Sequence, residues 1–121
     1  EELLEVSAAL HSPFTTLEEN IYFIAEKTGT NAICVTRGQY GAVLLWENQL
    51  YENYGYTVKV VDTVGAGDSF LAALITSLLT GKKPQDAIDF ACAVGALVAA
   101  SPGANPEIPL SKIESLLIGT I

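Results

Sequence analysis

The chain has 121 residues, 50% of them hydrophobic, and its 6 basic and 14 acidic side chains leave a formal net charge of −8. This length allows one domain with its own hydrophobic core, whereas the acidic balance excludes nucleic acid as a partner, because no basic stripe is present to neutralise phosphates. No apolar run is long enough to cross a membrane and no basic-then-apolar start suggests a signal peptide, so we expect a cytoplasmic protein without membrane contacts.

The chain begins at Glu1 and contains no methionine, so we expect it to be a domain excised from a longer protein. A first helix is predicted near Leu3 to Leu10, followed by a loop around Pro13 in which His11 is an ordinary surface residue. The acidic residues Glu1 and Glu2 suit a solvated first helical turn, where they favour the helix dipole.

The next segment predicts a helix and then a buried strand. Thr16 and Glu19 form the pattern of a capping box, and the helix that it opens should end near Gly29. A strand follows from Asn31 to Thr36. Its apolar run suits a strand that is buried on both faces, as parallel strands covered by helices are, so a largely parallel sheet is predicted.

A glycine-containing turn, residues 36–41, joins this strand to another at Ala42 to Trp46. The residues themselves leave open whether it is only a hairpin turn or a binding loop. After a turn at Glu47 to Gln49, Tyr51, Tyr54 and Tyr56 lie in a half-exposed ribbon. Cross-strand packing is favoured there over stacking on nucleic-acid bases.

The most informative segment is Asp62-Thr63-Val64-Gly65-Ala66-Gly67-Asp68, between a predicted strand and a predicted helix. The strand is Val58 to Val61, and the helix runs from about Gly67 towards Thr80. One face of this helix carries Phe70, Leu71, Leu74, Ile75 and Leu78. Glycines let the backbone turn sharply, and the first amides of a helix lack intrahelical partners and attract anions, so a phosphate pocket is predicted. A lone aspartate in a first turn is ordinarily a capping residue, but next to a bound phosphate it can act as a base.

Two further helices complete the chain. Pro84 opens one from about Gln85 to Ala100, whose small residues indicate tight packing against the preceding helix. A loop follows at residues 101–106, and Leu110 begins a closing amphipathic helix. Cys34 and Cys92 are expected to be reduced core thiols, although the sequence does not exclude a disulfide between them.

The segment Asp62–Asp68 matches every fixed position of Asp-Thr-x-Gly-Ala-Gly-Asp, and the chain therefore resembles the ribokinase-like, or PfkB, family of carbohydrate kinases. The resemblance implies a layered α/β/α fold, of which residues 1–121 are the C-terminal, nucleotide-binding portion, with the substrate-binding portion absent. It also implies that Asp68 is the catalytic base. The anion hole would be formed by the backbone amides of Gly65, Ala66, Gly67 and Asp68.

The resemblance assigns further residues to ligands. Thr36, Gly38 and Gly41 become ATP contacts, while the direction of the Arg37 side chain is left open. Cys92 borders the adenine pocket at a position where the family commonly has a polar residue, so the resemblance implies the pocket there but no polar side-chain contact with adenine. A monovalent cation such as K⁺ would be held by Asp62, Val64, Ala99, Pro102 and Gly103. Glu2 would correspond to the glutamate of a family element linked to Mg²⁺.

The expected function is ATP-dependent phosphorylation of a sugar hydroxyl, and likeness around Val60 to Leu74 favours a fructokinase. The alternatives are a kinase of a nucleoside or another small molecule on the same fold, or a nucleotide-binding module without turnover. The chain alone is expected to be inactive. Its apolar excess predicts an exposed hydrophobic face that packs on the missing portion or on a second copy.

Overall fold

The computed structural model of the protein describes residues 16–101, 108 and 110–117. The predicted first helix, His11, Glu2, Pro102 and Gly103 lie outside these residues. In chain order the elements are α1 (Leu17–Thr28), β1 (Ala32–Thr36), a 3₁₀ turn (Gly38–Tyr40), β2 (Ala42–Trp46), β3 (Gln49–Asn53), α2 (Ala66–Leu79), α3 (Pro84–Ala99) and α4 (Leu110–Leu117). None of the described helices has both the length and the apolar character that a bilayer span requires.

The capping prediction for α1 is confirmed at both ends. The Thr16 hydroxyl accepts a hydrogen bond from the Glu19 amide at 3.2 Å and lies 2.7 Å from the Glu19 carboxylate, to which it donates. At the other end Gly29 adopts φ 69°, and its amide donates to the Ala25 carbonyl. A left-handed residue at this position ends a helix at little steric cost only when it is glycine.

The sheet has the strand order β1-β2-β3, and both strand pairs are antiparallel. The prediction of a mostly parallel sheet is therefore not confirmed for the described strands. The reason is the length of the connections: residues 37–41 and 47–48 are too few for the crossover that joins parallel neighbours. The predicted burial of β1 on both faces is not confirmed either, because Ala32 and Thr36 are exposed and the three residues between them are only partly buried.

The elements form helix, sheet and helix layers around β2. On one face, Ile21 of α1 packs against Val43 and Leu45. On the other face, Leu44 belongs to a buried cluster that includes Phe70 of α2 and Ile88 of α3. Because successive side chains of a strand point to opposite faces, this layering explains why nearly all of β2 is buried.

Residues 58–61 do not form the predicted strand. The segment is fixed at its end by the amides of Val61 and Asp62, which both donate to the Ala99 carbonyl at 2.8 and 3.0 Å. Val60 and Val61 are 48% and 56% exposed. A strand needs a hydrogen-bonded neighbour, and among the described residues no strand lies beside this segment.

The predicted apolar face of α2 is only partly buried. Phe70 and Leu74 lie in the core, whereas Leu71 and Ile75 are 51% and 47% exposed. The helices α2 and α3 pack closely, since a Cβ added at Gly95 would lie 3.4 Å from the Phe70 Cβ. This close approach confirms the packing role of small residues in α3.

Candidate functional site

The turn before α2 is built by a side chain and a glycine. The Asp62 carboxylate oxygen Oδ1 accepts a hydrogen bond from the Val64 amide at 2.9 Å. Gly65 then adopts φ 80° and ψ −6° at the N-cap of α2, with no side-chain capping bond. The left-handed conformation explains why a glycine stands at this position, and the turn leaves the helix N-terminus without a capping side chain.

The backbone amides at this N-terminus form an anion-binding arrangement. Within the described residues, the amides of Gly65, Gly67 and Asp68 donate to no other group, whereas the Ala66 amide donates to the Thr63 carbonyl at 3.2 Å. Unpaired amides at the positive end of a helix dipole attract anions. Three of the four amides predicted for an anion hole are therefore available to a ligand.

A cavity of about 810 Å³ adjoins this N-terminus. Its wall brings together residues that the sequence predicted in separate segments: Thr36, Gly38, Gly41, Ala66, Gly67, Cys92 and Ala99. The 3₁₀ turn and the start of α2 are about 30 residues apart in sequence, yet both line one space. A Cβ added at Gly67 would meet no atom within 4 Å, so a ligand can approach this backbone closely.

Asp68 is exposed and comes directly after Gly67, which lines the cavity. Its carboxylate has no hydrogen-bond or ion-pair partner in the part of the chain that the structure describes. Neither Asp68 nor Gly65 lines the cavity itself. An unpartnered carboxylate beside unpaired amides is free to accept a proton from a hydroxyl that approaches a bound phosphate.

Arg37 is turned away from the cavity. Its Nη2 donates to the Asn53 carbonyl at 3.0 Å, and its Nη1 lies 3.7 Å from the Glu52 carboxylate. Its guanidinium also lies 5.6 Å from the centre of the Tyr54 ring. The side-chain direction left open by the sequence is thus towards β3, where Arg37 anchors the end of the strand.

Some of the groups predicted to hold a monovalent cation already accept hydrogen bonds within the protein. The Ala99 carbonyl accepts two backbone hydrogen bonds, from Val61 and Asp62, and these use both of its lone pairs. One carboxylate oxygen of Asp62 holds the turn, and the Val64 side chain is 59% exposed. No group of three or more metal-binding side chains occurs among the described residues. The cation site remains a prediction.

Both cysteines are free thiols, so the structure agrees with reduced core residues. Burial raises the pKa of Cys92 to about 12, with further increases from Cys34 and Asp89 and an opposing effect of Arg37. Burial likewise raises the pKa of Cys34 to about 11. Cys92 therefore presents a neutral thiol to the cavity at physiological pH.

We expect the thermal unfolding midpoint to fall as the pH rises from 9 towards 11. Unfolded thiols ionise near their ordinary pKa of 9.0, whereas the folded chain keeps these protons until about 11 for Cys34 and about 12 for Cys92. In this range the unfolded state binds fewer protons, so the free energy of unfolding decreases with pH. Circular dichroism melts of the wild type and Cys92→Ala measure the effect, and other titrating groups cancel in the comparison. A slope that is equally steep in the variant would contradict the assignment to Cys92.

Three tyrosines line the cavity although the sequence did not predict it. They are Tyr40, Tyr54 and Tyr56. Tyr54 lies beyond the end of β3, so it is not part of the cross-strand packing that was favoured for it, whereas Tyr51 packs against the core. The available signal was position: Tyr40 lies within the glycine turn, and Tyr54 and Tyr56 flank Gly55.

A polar network holds the segment that carries these tyrosines. The Asn53 side chain is 9% exposed, and its Nδ2 donates to the Asp89 carboxylate at 2.9 Å and to the Tyr56 hydroxyl at 3.1 Å. Its Oδ1 accepts from the Gly55 amide at 2.8 Å. Asn53 thus joins the cavity wall to α3, and a buried polar side chain with satisfied hydrogen bonds favours one conformation of the loop.

The sequence and the fold of this chain are similar to those of known kinases. A family model described as pfkB family carbohydrate kinase matches residues 1–110. A fructokinase of Escherichia coli is 33% identical over 113 residues, which cover 88% of this chain and 37% of that protein. A ribokinase of Arabidopsis thaliana is 31% identical over 112 residues, which cover 89% of this chain and 30% of that protein. The chain spans about a third of the length of these curated relatives.

The solved structures include a similar protein of Escherichia coli, provisionally named ribokinase II, in complex with ATP and Mg²⁺. It superposes with a TM-score of 0.76 at 32% identity and covers 95% of this chain and 37% of that one. The ribokinase-like fold predicted from the sequence is confirmed by this likeness. The description of its sheet as mostly parallel is not.

Proposed function

We propose, because this chain belongs to the pfkB family of carbohydrate kinases, that its cavity binds ATP and that Asp68 accepts the proton of a sugar hydroxyl during phosphoryl transfer. The observation that carries this proposal is the meeting of two distant segments, the 3₁₀ turn and the N-terminus of α2, on one cavity that ends at unpaired amides. Such amides suit the terminal phosphate of a nucleotide.

In the proposed reaction, backbone amides bind the phosphoryl group and one side chain accepts the proton. The amides of Gly65, Gly67 and Asp68 hold the transferring phosphoryl group and stabilise the charge on its oxygens. As the hydroxyl oxygen attacks the γ-phosphorus, the carboxylate of Asp68 receives the hydroxyl proton, and the bond from the γ-phosphorus to the β,γ-bridging oxygen breaks so that ADP leaves. Thr36, Gly38 and Gly41 contact the remaining phosphates, and Cys92 borders the base.

Metal ions enter this proposal through the nucleotide. A related structure was solved with ATP and Mg²⁺, and Mg²⁺ is usually held by phosphates together with one or two carboxylates. When bound, Mg²⁺ supplies charge neutralisation at the phosphates, and Glu2 is the proposed link to it. A monovalent cation near Asp62 and Ala99 would require the Ala99 carbonyl to exchange at least one of its two hydrogen bonds.

We further propose that the chain supplies the nucleotide half of the enzyme. Six exposed apolar side chains, 47–80% accessible, come from one stretch of sequence: Val60, Val61, Val64, Leu71, Ile75 and Leu79. Exposed apolar surface of this kind marks an interaction site, here for the sugar-binding half or for a second copy. We expect the chain alone to bind ATP weakly and to phosphorylate no sugar, as a coupled kinase assay would measure. A cytoplasmic location remains a prediction.

The acceptor is proposed to be a sugar, with fructose as the leading candidate. The similarity to a fructokinase and to a ribokinase is nearly equal, at 33% and 31% identity, so it does not distinguish the two sugars. The full-length protein should be offered fructose, ribose and a panel of nucleosides with ATP. Phosphorylation of nucleosides alone would favour the alternative kinase, and ATP binding without any turnover would favour a binding module.

We expect Gly67→Ala to weaken ATP binding by roughly 10-fold or more without destabilising the fold. The added methyl group meets no protein atom within 4 Å, and because Gly67 lines the cavity it takes up room that this proposal assigns to a phosphate. In a helix, alanine is more favourable than glycine by up to about 1 kcal/mol, so the free energy of unfolding should be unchanged or higher. Isothermal titration calorimetry and thermal melts of the full-length protein measure both quantities. Unchanged affinity would contradict the phosphate position.

A further inference from the structure

We propose that Tyr40 and Tyr54 hold the nucleobase of the bound nucleotide by stacking, an inference that rests on the proposed function. Both side chains line the cavity, and they are 67% and 76% exposed. Aromatic rings that are exposed at the mouth of a cavity offer flat apolar faces to a planar ligand. Stacking of a base on such a face contributes about 1–3 kcal/mol.

The two tyrosines come from turns whose backbones are in contact. A Cβ added at Gly55 would lie 3.0 Å from the Gly41 amide nitrogen, and one added at Gly41 would lie 2.6 Å from the Gly55 nitrogen. The 3₁₀ turn and the segment after β3 therefore lie side by side with no room for intervening side chains. This contact fixes Tyr40 and Tyr54 on neighbouring parts of one wall.

Tyr54 is also in contact with a cationic side chain. The Arg37 guanidinium lies 5.6 Å from its ring centre, and Arg37 is itself anchored by the Asn53 carbonyl and Glu52. A cation on one face of an aromatic ring attracts the ring and leaves the other face for a ligand. Arg37 is thus a positioning residue for Tyr54 in this proposal.

The polarity of the cavity orients the nucleotide. Unpaired amides at the start of α2 favour the anionic end, so the aromatic end of the ligand lies towards the tyrosines. Val58, Cys92 and Ala96 add apolar side chains to the cavity wall, and Gln39 and Thr57 add polar ones. The stacking contribution itself depends on the faces of the base. Since every base has such a face, stacking should contribute to the binding of both ATP and GTP.

The test compares three ligands of the full-length protein: ATP, GTP and inorganic tripolyphosphate, which has the phosphates without the base. We expect Tyr54→Leu and Tyr40→Leu each to raise the Kd for ATP and GTP by roughly 5- to 150-fold and to leave the Kd for tripolyphosphate unchanged. Tyr54→Phe and Tyr40→Phe should retain wild-type affinity, because phenylalanine keeps the ring. Gly67→Ala, in contrast, should weaken all three ligands.

Tyr22→Leu is the matched control, since Tyr22 is an exposed tyrosine on α1 outside the cavity. ATP binding by both leucine variants at wild-type strength would overturn the stacking inference and leave the proposed function intact. Equal losses for ATP and tripolyphosphate would also overturn it, because the tyrosines would then only shape the cavity. A wild-type protein that binds neither ligand would overturn the proposed function itself.

Discussion

Asp68→Asn should lower the kcat of the full-length enzyme by roughly 100- to 10,000-fold, which is the usual contribution of a general base. Asparagine has nearly the same size but cannot accept the proton of the attacking hydroxyl. The Asp68 side chain has no partner among the described residues and is exposed, so the exchange removes no stabilising contact. ATP affinity should change little, because the backbone amides that hold the phosphate remain. Steady-state kinetics and calorimetric titration with ATP separate the two effects.

Asp86→Asn is the control for this substitution. Asp86 is also an exposed aspartate in a first helical turn, that of α3, but neither of its chain neighbours lines the cavity, whereas Gly67 beside Asp68 does. Removing its charge tests the general effect of losing a carboxylate near a helix N-terminus. We expect kcat within about twofold of the wild type for this variant. Equal losses in both variants, or full turnover in Asp68→Asn, would refute the assignment of Asp68 as the base.

Gly41→Ala should reduce the free energy of unfolding by about 3 kcal/mol or more. Gly41 has φ 90° and ψ −143°, a backbone conformation that residues other than glycine rarely adopt. An added Cβ would also collide with the carbonyl of Asn53, a backbone group fixed by its place in β3. The turn would have to move away from β3. Chemical denaturation followed by circular dichroism measures the loss.

Gly38→Ala provides the comparison, because Gly38 lies in the same turn and also has a positive φ, 59°. Its added Cβ meets nothing within 4 Å, so only the conformational cost of about 1–2 kcal/mol remains. We therefore expect Gly38→Ala to be clearly less destabilising than Gly41→Ala. If the two variants lost equal stability, the steric contact with Asn53 would not be the cause. The fold therefore requires a glycine at position 41, whether or not this residue also contacts ATP.

Local patterns in the sequence predicted several elements closely. The capping residues of α1, the bounds of β2 and the start of α2 follow from side chains within a few positions of each other, where helix caps and alternating burial act. The family also followed from one segment, Asp62–Asp68, and the match over residues 1–110 confirms it. The strand at 58–61 was wrong because a strand depends on a neighbour that local sequence does not specify.

The sequence by itself determined the turn at Gly65, the carboxylate that follows it and the family, because these depend on residue types at fixed spacing. Only the tertiary structure decided that the 3₁₀ turn and α2 share a cavity, that Arg37 points towards β3, and that Tyr40 and Tyr54 line the wall. It also decided the antiparallel sheet. The physical reason is that packing between distant segments fixes side-chain direction and strand order, whereas propensity and spacing act only on neighbours along the chain.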